Sequence, residues 1–234
     1  MKKIVTLIVL IFCLQVSFAQ NSMIDITGMN VNTPSFFLEY LRDDKSADLF
    51  KADLYSGVEG SPFFSPEWTY ARIKLADNRK FDSVLIKINL YENKVHFKDE
   101  AGREKMIGAD VRQIEIKDES SKWNNTFLLS GYGENKNEFF QVITDGKKAG
   151  LLKKFNIIIR ETKVFNAPNQ KSFEQTPSYS IYSAGALYEG NKNCSAIMYA
   201  FKNDNKVTKF ISANDIKCNK EKDLKKLVEF YNSY

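Results

Sequence analysis

Residues 68–97 read WTYARIKLADNRKFDSVLIKINLYENKVHF, and their period of two decides the fold. Thr69, Ala71, Ile73 and Leu75 fall on one side of an extended chain, with Tyr70, Arg72 and Lys74 on the other. Alternation of this kind marks a strand with one dry face. Val84, Ile86, Ile88 and Leu90 repeat it, opposite Lys87, Asn89 and Tyr91. Glu92-Asn93 then turns the chain, and Val95 and Phe97 bring it back, leaving His96 on the wetter side.

The pattern continues outward from this hairpin. Ile114 and Ile116 alternate with charged residues over 111–117, and further strands are expected over 126–132 and 138–144. Asp145-Gly146 predicts a tight hairpin, because a primed turn needs positive φ at both central residues. It leads into 151–160, where Phe155, Ile157 and Ile159 share a face. The runs 179–188, 194–201 and 207–212 are apolar on both sides and read as segments buried on two faces. Residues 163–178, rich in Asn, Gln, Pro and Ser, form the longest polar connection and are expected as a loop.

Two helices frame these strands. Thr33-Pro34 reads as the start of a short helix reaching Leu41. Asn219 is the expected cap of an amphipathic helix over about 219–233, with Leu224, Leu227, Val228 and Tyr231 in one apolar stripe. The expected fold is mainly β: a curved antiparallel meander or partly open barrel with a short N-terminal helix and a C-terminal amphipathic helix over an end or edge. No internal repeat supports a solenoid or propeller.

Residues 1–19, MKKIVTLIVLIFCLQVSFA, have the layout of a secretory signal peptide: Lys2 and Lys3, an apolar run, then Ser17-Phe18-Ala19 before Gln20. A retained anchor would need about 20 apolar residues, and Thr6 and Gln15 interrupt this shorter run. The expectation is a mature single domain over 20–234, exported to the periplasm, cell envelope or extracellular space, with no stable transmembrane segment. The formal charge is +5, or +3 without Lys2 and Lys3. Basic and acidic residues intermix along the chain, which argues against nucleic acid as a partner. Cys13 falls in the signal, leaving Cys194 and Cys218 as a disulfide or as two separate buried thiols. A bridge closing about 24 residues would contribute about 3 kcal/mol in the chain-entropy account.

Three further stretches form a set: Gly60-Ser61-Pro62-Phe63-Phe64; Lys87-Ile88-Asn89-Leu90-Tyr91 with Val95-His96-Phe97; and VITDGKKAGLLKK at 142–154. Together with the lysine-rich C-terminal helix they resemble a broad group of uncharacterised exported β-rich proteins of Bacteroidota-type bacteria. The resemblance spans roughly 55–234 and implies an envelope location, without a known activity to carry over. The region 179–203 is longer here than in that group. Asp82-Ser83-Val84 also fits the short O-glycan acceptor pattern used there.

Catalytic sets are incomplete. His96 is the sole histidine, and no G-x-S-x-G elbow or Ser-x-x-Lys is present to supply a nucleophile. It reads as a surface residue on a half-wet strand. Gly131-Tyr132-Gly133 reads as a hairpin turn, since no helix pattern follows it as a phosphate loop requires. No cofactor motif and no metal-ligand cluster is evident. The better-supported site is a basic and aromatic strip of Trp68, Tyr70, Arg72, Lys87 and Tyr91, extended by Trp123, which could stack on sugars or meet acidic groups. The sequence reading is thus an exported, non-catalytic binding or interaction protein whose partner is an envelope protein, glycan or lipid. A carrier of a lipid or other apolar ligand is the alternative, motivated by the runs 182–187 and 197–201. A hydrolase using His96 is the second.

Overall fold

The computed structural model describes residues 48–49, 52–98, 101–107, 111–117, 123–129, 138–163, 168–190 and 194–234. The signal peptide expected over 1–19 and the helix expected after Pro34 lie outside these. The described residues form one large sheet that is not closed into a barrel. Its strands are β1 (Asp48–Leu49), β2 (Val58–Glu59), β3 (Thr69–Leu75), β4 (Lys80–Asn89), β5 (Lys94–Lys98), β6 (Glu104–Ile107), β7 (Val111–Lys117), β8 (Trp123–Leu129), β9 (Phe139–Thr144), β10 (Ala149–Thr162), β11 (Gln170–Ser183) and β12 (Ala186–Glu189). They lie in the order β1-β6-β5-β4-β3-β7-β8-β9-β10-β11-β12, with β2 on β11. Every pairing is antiparallel except β2 with β11, so the sheet is mixed rather than a pure meander.

The inward side of the alternation at 68–97 is buried as expected, whereas Lys74, Asn89 and His96 of the expected outward side are buried too. Ala71, Ile73, Val84, Ile86, Ile88, Val95 and Phe97 are buried in one core with Ile114, Ile116 and Phe127. Ser83 has φ 59, and the β3–β4 register shifts between Ala71 and Ile73. This bulge inserts one residue, so Phe81 and Val84 both point inward although their spacing is odd. Phe155 and Ile157 of β10 pack against the same core.

Three α-helices follow the sheet: α1 (Ser195–Met198), α2 (Asn205–Ala213) and α3 (Glu221–Asn232). They build a second core with Ala149 and Leu151 of β10 and Ile181 of β11. Leu151 and Phe155 are four positions apart on β10 and share one face, since strand side chains alternate. The helices therefore cover one end of the face whose other end carries the first core. A small third cluster on the opposite face joins Phe140, Val142 and Leu152 with Tyr182 and Leu187.

Several sequence expectations are corrected. Residues 170–178 are not loop: β11 begins at Gln170 and pairs with β10 through fourteen consecutive positions. Its polar composition reflects an exposed strand, and Pro177 is tolerated because among the described residues no strand pairs with β11 on its other side between β2 and β12. The runs at 194–201 and 207–212 are helical, burying Ile197, Phe201 and Val207 at helical spacing. The Asp145-Gly146 hairpin is wider than a two-residue turn, and neither residue has positive φ. Gly146 is needed for closeness instead: a Cβ there would lie 2.3 Å from Asn232 Nδ2. The cap of α3 is Lys220, not Asn219, and it makes no side-chain cap bond; Glu221 and Asp223 put negative charge in the first turn. The stripe Leu224, Leu227, Val228 and Tyr231 is buried as expected.

Cys194 and Cys218 form a disulfide with Cα atoms 5.1 Å apart, which decides between the two readings of the pair. It ties the start of α1 to the approach of α3. Gly190 permits this, since a Cβ there would meet the Cys218 carbonyl oxygen at 2.6 Å.

Candidate functional site: the outer face of β3–β5

Register assembles this face from residues remote in sequence. Thr69 pairs with Ile86, and Ile86 with Phe97. Trp68 just before β3 therefore falls beside Lys87, Lys87 beside its partner His96, and Tyr70 beside its partner Leu85, next to Lys98. Lys87 Nζ and Lys98 Nζ each lie 5.0 Å from the Trp68 ring centroid, within cation–π range. Lys87 also reaches over Phe63 at 5.3 Å. Tyr70 is 58% exposed, the most open aromatic of the sheet among the described residues. The result is a partly open patch of two aromatic side chains, Leu85 and two ammonium groups.

Beside the patch is a buried polar chain. His96 is 0% exposed, which corrects its expected surface position. Its Nδ1 lies 2.6 Å from Glu104 Oε1 and its Nε2 lies 3.4 Å from Asn89 Nδ2. The geometry suits a neutral ring that donates from Nδ1 and accepts at Nε2. Asn89 Nδ2 also donates to Tyr55 Oη at 3.1 Å, and Tyr55 donates to Glu92 at 2.7 Å. Asn89 Oδ1 accepts from the Tyr91 and Glu92 amides. The Phe63 ring closes on His96 edge to face at 5.0 Å. Burial holds the His96 pKa below its usual value, against the opposing pull of Glu104. Burial, helped by the bond to Glu92, raises that of Tyr55. A histidine beside a carboxyl is a catalytic pairing in other settings, but here the second nitrogen faces Asn89 inside packed protein rather than a nucleophile in a cleft.

The predicted strip is only partly brought together. Trp68, Tyr70 and Lys87 are neighbours. Arg72 is engaged in the fold, 3.3 Å from Asp82 and 3.9 Å from Glu115. Glu115 is itself buried, and desolvation raises its pKa against Gln113 and Arg72. Tyr91 joins a separate ring cluster, edge-on to Tyr55 at 6.1 Å and to Phe173 at 5.6 Å. Trp123 opens β8 opposite Lys117; its side chain lies outside the described residues. Sequence reasoning placed Asn89 on this side without its buried role, and missed Lys98, Phe63, Tyr55 and Glu104. The only signal was the parity that puts Lys87, Asn89 and His96 on one face; Lys98 needed the pairing of Ile86 with Phe97. Ser83, of the glycan-acceptor pattern, is exposed at its bulge.

The bend at 65–67 leaves a cleft of about 10 Å³ lined by Phe64, Thr69, Ile86 and Ile88 among others, room for about one water. The runs that suggested a carrier are occupied by the protein's own packing: Ile197 and Phe201 in the second core, Tyr182 and Leu187 in the third. Among the described residues, no group of three His, Cys, Asp or Glu is placed to hold a metal. None of their helices is long and apolar enough to cross a membrane. Compared with family models, curated proteins and solved structures, the chain matches none.

Proposed function

We propose that this chain is an exported, non-catalytic binding or interaction protein of the periplasm or cell envelope, working through the outer face of β3–β5. The observation that carries this reading is the open Tyr70 beside Trp68 and its two lysines. Large aromatic side chains are usually placed where they bury area, and one left open beside charge is a recognition feature. The disulfide supports an oxidising compartment. The side-chain packing of the cores supports surface recognition over enclosure of a ligand.

The test uses the full mature chain with Trp123→Phe, which leaves Trp68 as the sole tryptophan. Its emission is followed during titration with a panel of envelope glycans, headgroups and proteins. At least one is expected to shift the emission saturably, with Tyr70→Ala weakening that binding about tenfold. Binding that is indifferent to both Tyr70→Ala and Trp68→Phe, compared in the chain that keeps Trp123 by calorimetry, would place the working surface elsewhere.

A further inference from the structure

We infer that the outer face of β3–β5 takes an acidic polysaccharide, a chain of pyranose rings bearing carboxylates. This rests on the reading of that face as the binding surface and names its ligand class. Trp68 and Tyr70 are two positions apart on the same side of one extended chain, so their Cα atoms stand about 7 Å apart. Two aromatic residues so placed on one face of the sheet, with Leu85 on the neighbouring strand, offer an apolar platform for the C–H faces of successive sugar rings.

The charge of the ligand follows from the two cations gathered at the Trp68 ring. Arg72 pairs with Asp82, Lys153 with Glu221, Lys154 with Glu138 and Arg160 with Glu174. Among the described residues, neither Lys87 nor Lys98 has a carboxylate within ion-pair distance. Glu104 is the register partner of Lys98 and would be its natural counter-charge, but it is turned to His96 Nδ1 at 2.6 Å. The buried histidine thus holds the acid away from the patch. Two ammonium groups remain at the Trp68 ring, positioned for carboxylates on a sugar stacked there.

The experiment titrates the Trp123→Phe chain with polygalacturonate and alginate, with neutral cello-oligosaccharides and anionic phospholipid vesicles in parallel. The expected result is a Trp68 emission change with at least one polyuronate. Affinity should fall with added salt and drop tenfold or more in Lys87→Ala/Lys98→Ala, with Lys98→Gln alone giving a smaller loss and each variant retaining the wild-type circular dichroism. Equal binding of the neutral oligosaccharides, unaffected by the lysine variants, would overturn the acidic class and leave the binding face standing. Binding of vesicles without either polyuronate would replace a polysaccharide by a lipid surface. No response to any probe overturns the inference, whereas the broader reading falls if binding of the partners in the wider panel is unchanged by Tyr70→Ala and Trp68→Phe.

Discussion

Asn89 uses both amide hydrogens and both carbonyl lone pairs: His96 and Tyr55 accept, and the Tyr91 and Glu92 amides donate. It is fully buried, so each lost bond would strand a polar group without water. Asn89→Ala is therefore expected to cost about 3 kcal/mol, read as a lowered urea midpoint at unchanged slope. His96 carries a pH signature. Its folded pKa lies below the ordinary 6.5, first through burial and then through Lys87, while Glu104 and Glu92 oppose. The unfolded chain consequently takes up the proton first as pH falls. The stability associated with neutral His96 is complete above about 6.5 and is lost as pH drops from there toward the folded value. Urea midpoints between pH 7.5 and 5 should decline in the wild type, and His96→Gln should flatten that decline; an unchanged slope would remove His96 as its source.

At the scale of elements, the attachment of α3 decides whether the helices stay on the sheet. Asn232 Oδ1 accepts from the Lys148 and Ala149 amides at 2.9 and 3.2 Å, and its Nδ2 donates to the Ala149 carbonyl at 2.8 Å. Asn232→Ala is expected to cost about 2 kcal/mol, with amide exchange rising in α3 and the first residues of β10 before it rises in β3–β5. The disulfide fastens the other end of the helical segment. Cys194→Ser/Cys218→Ser should cost about 3 kcal/mol and raise exchange across α1 to α3, while β3–β8 keep their protection because none of their residues belongs to the second core. Residues 194–212 were legible as apolar but not as helix. Their runs are short, and an apolar run of four to eight residues fits a buried strand as well as a helical turn. The α3 stripe was legible because four apolar residues recur over two turns with a lysine-rich opposite face.

Across the whole molecule, remote segments meet where Tyr55 and Phe173 pack edge to face at 5.3 Å, Phe173 from β11 and Tyr55 from the turn before β2. Together with the β2–β11 pairing, this brings Phe173 near the start of β11 to Tyr91 of the β4–β5 turn. The compartment is also a property of the whole chain. Denaturing mass spectrometry of the protein exported by its own host should show a chain starting at Gln20 and two hydrogens lighter than its reduced form; a mass that includes residues 1–19 would refute cleavage there. By itself, the sequence determined the inward sides of β3, β4 and β5 and the buried stripe of α3, because local periodicity alone selects the dry face. Tertiary structure alone decided that β11 is strand, that Cys194 reaches Cys218, that His96 is buried, and that Lys98 stands beside Trp68. Each depends on which distant segment arrives to pair, cover or crowd a residue, and that is set by sheet register and packing rather than by any stretch of chain read on its own.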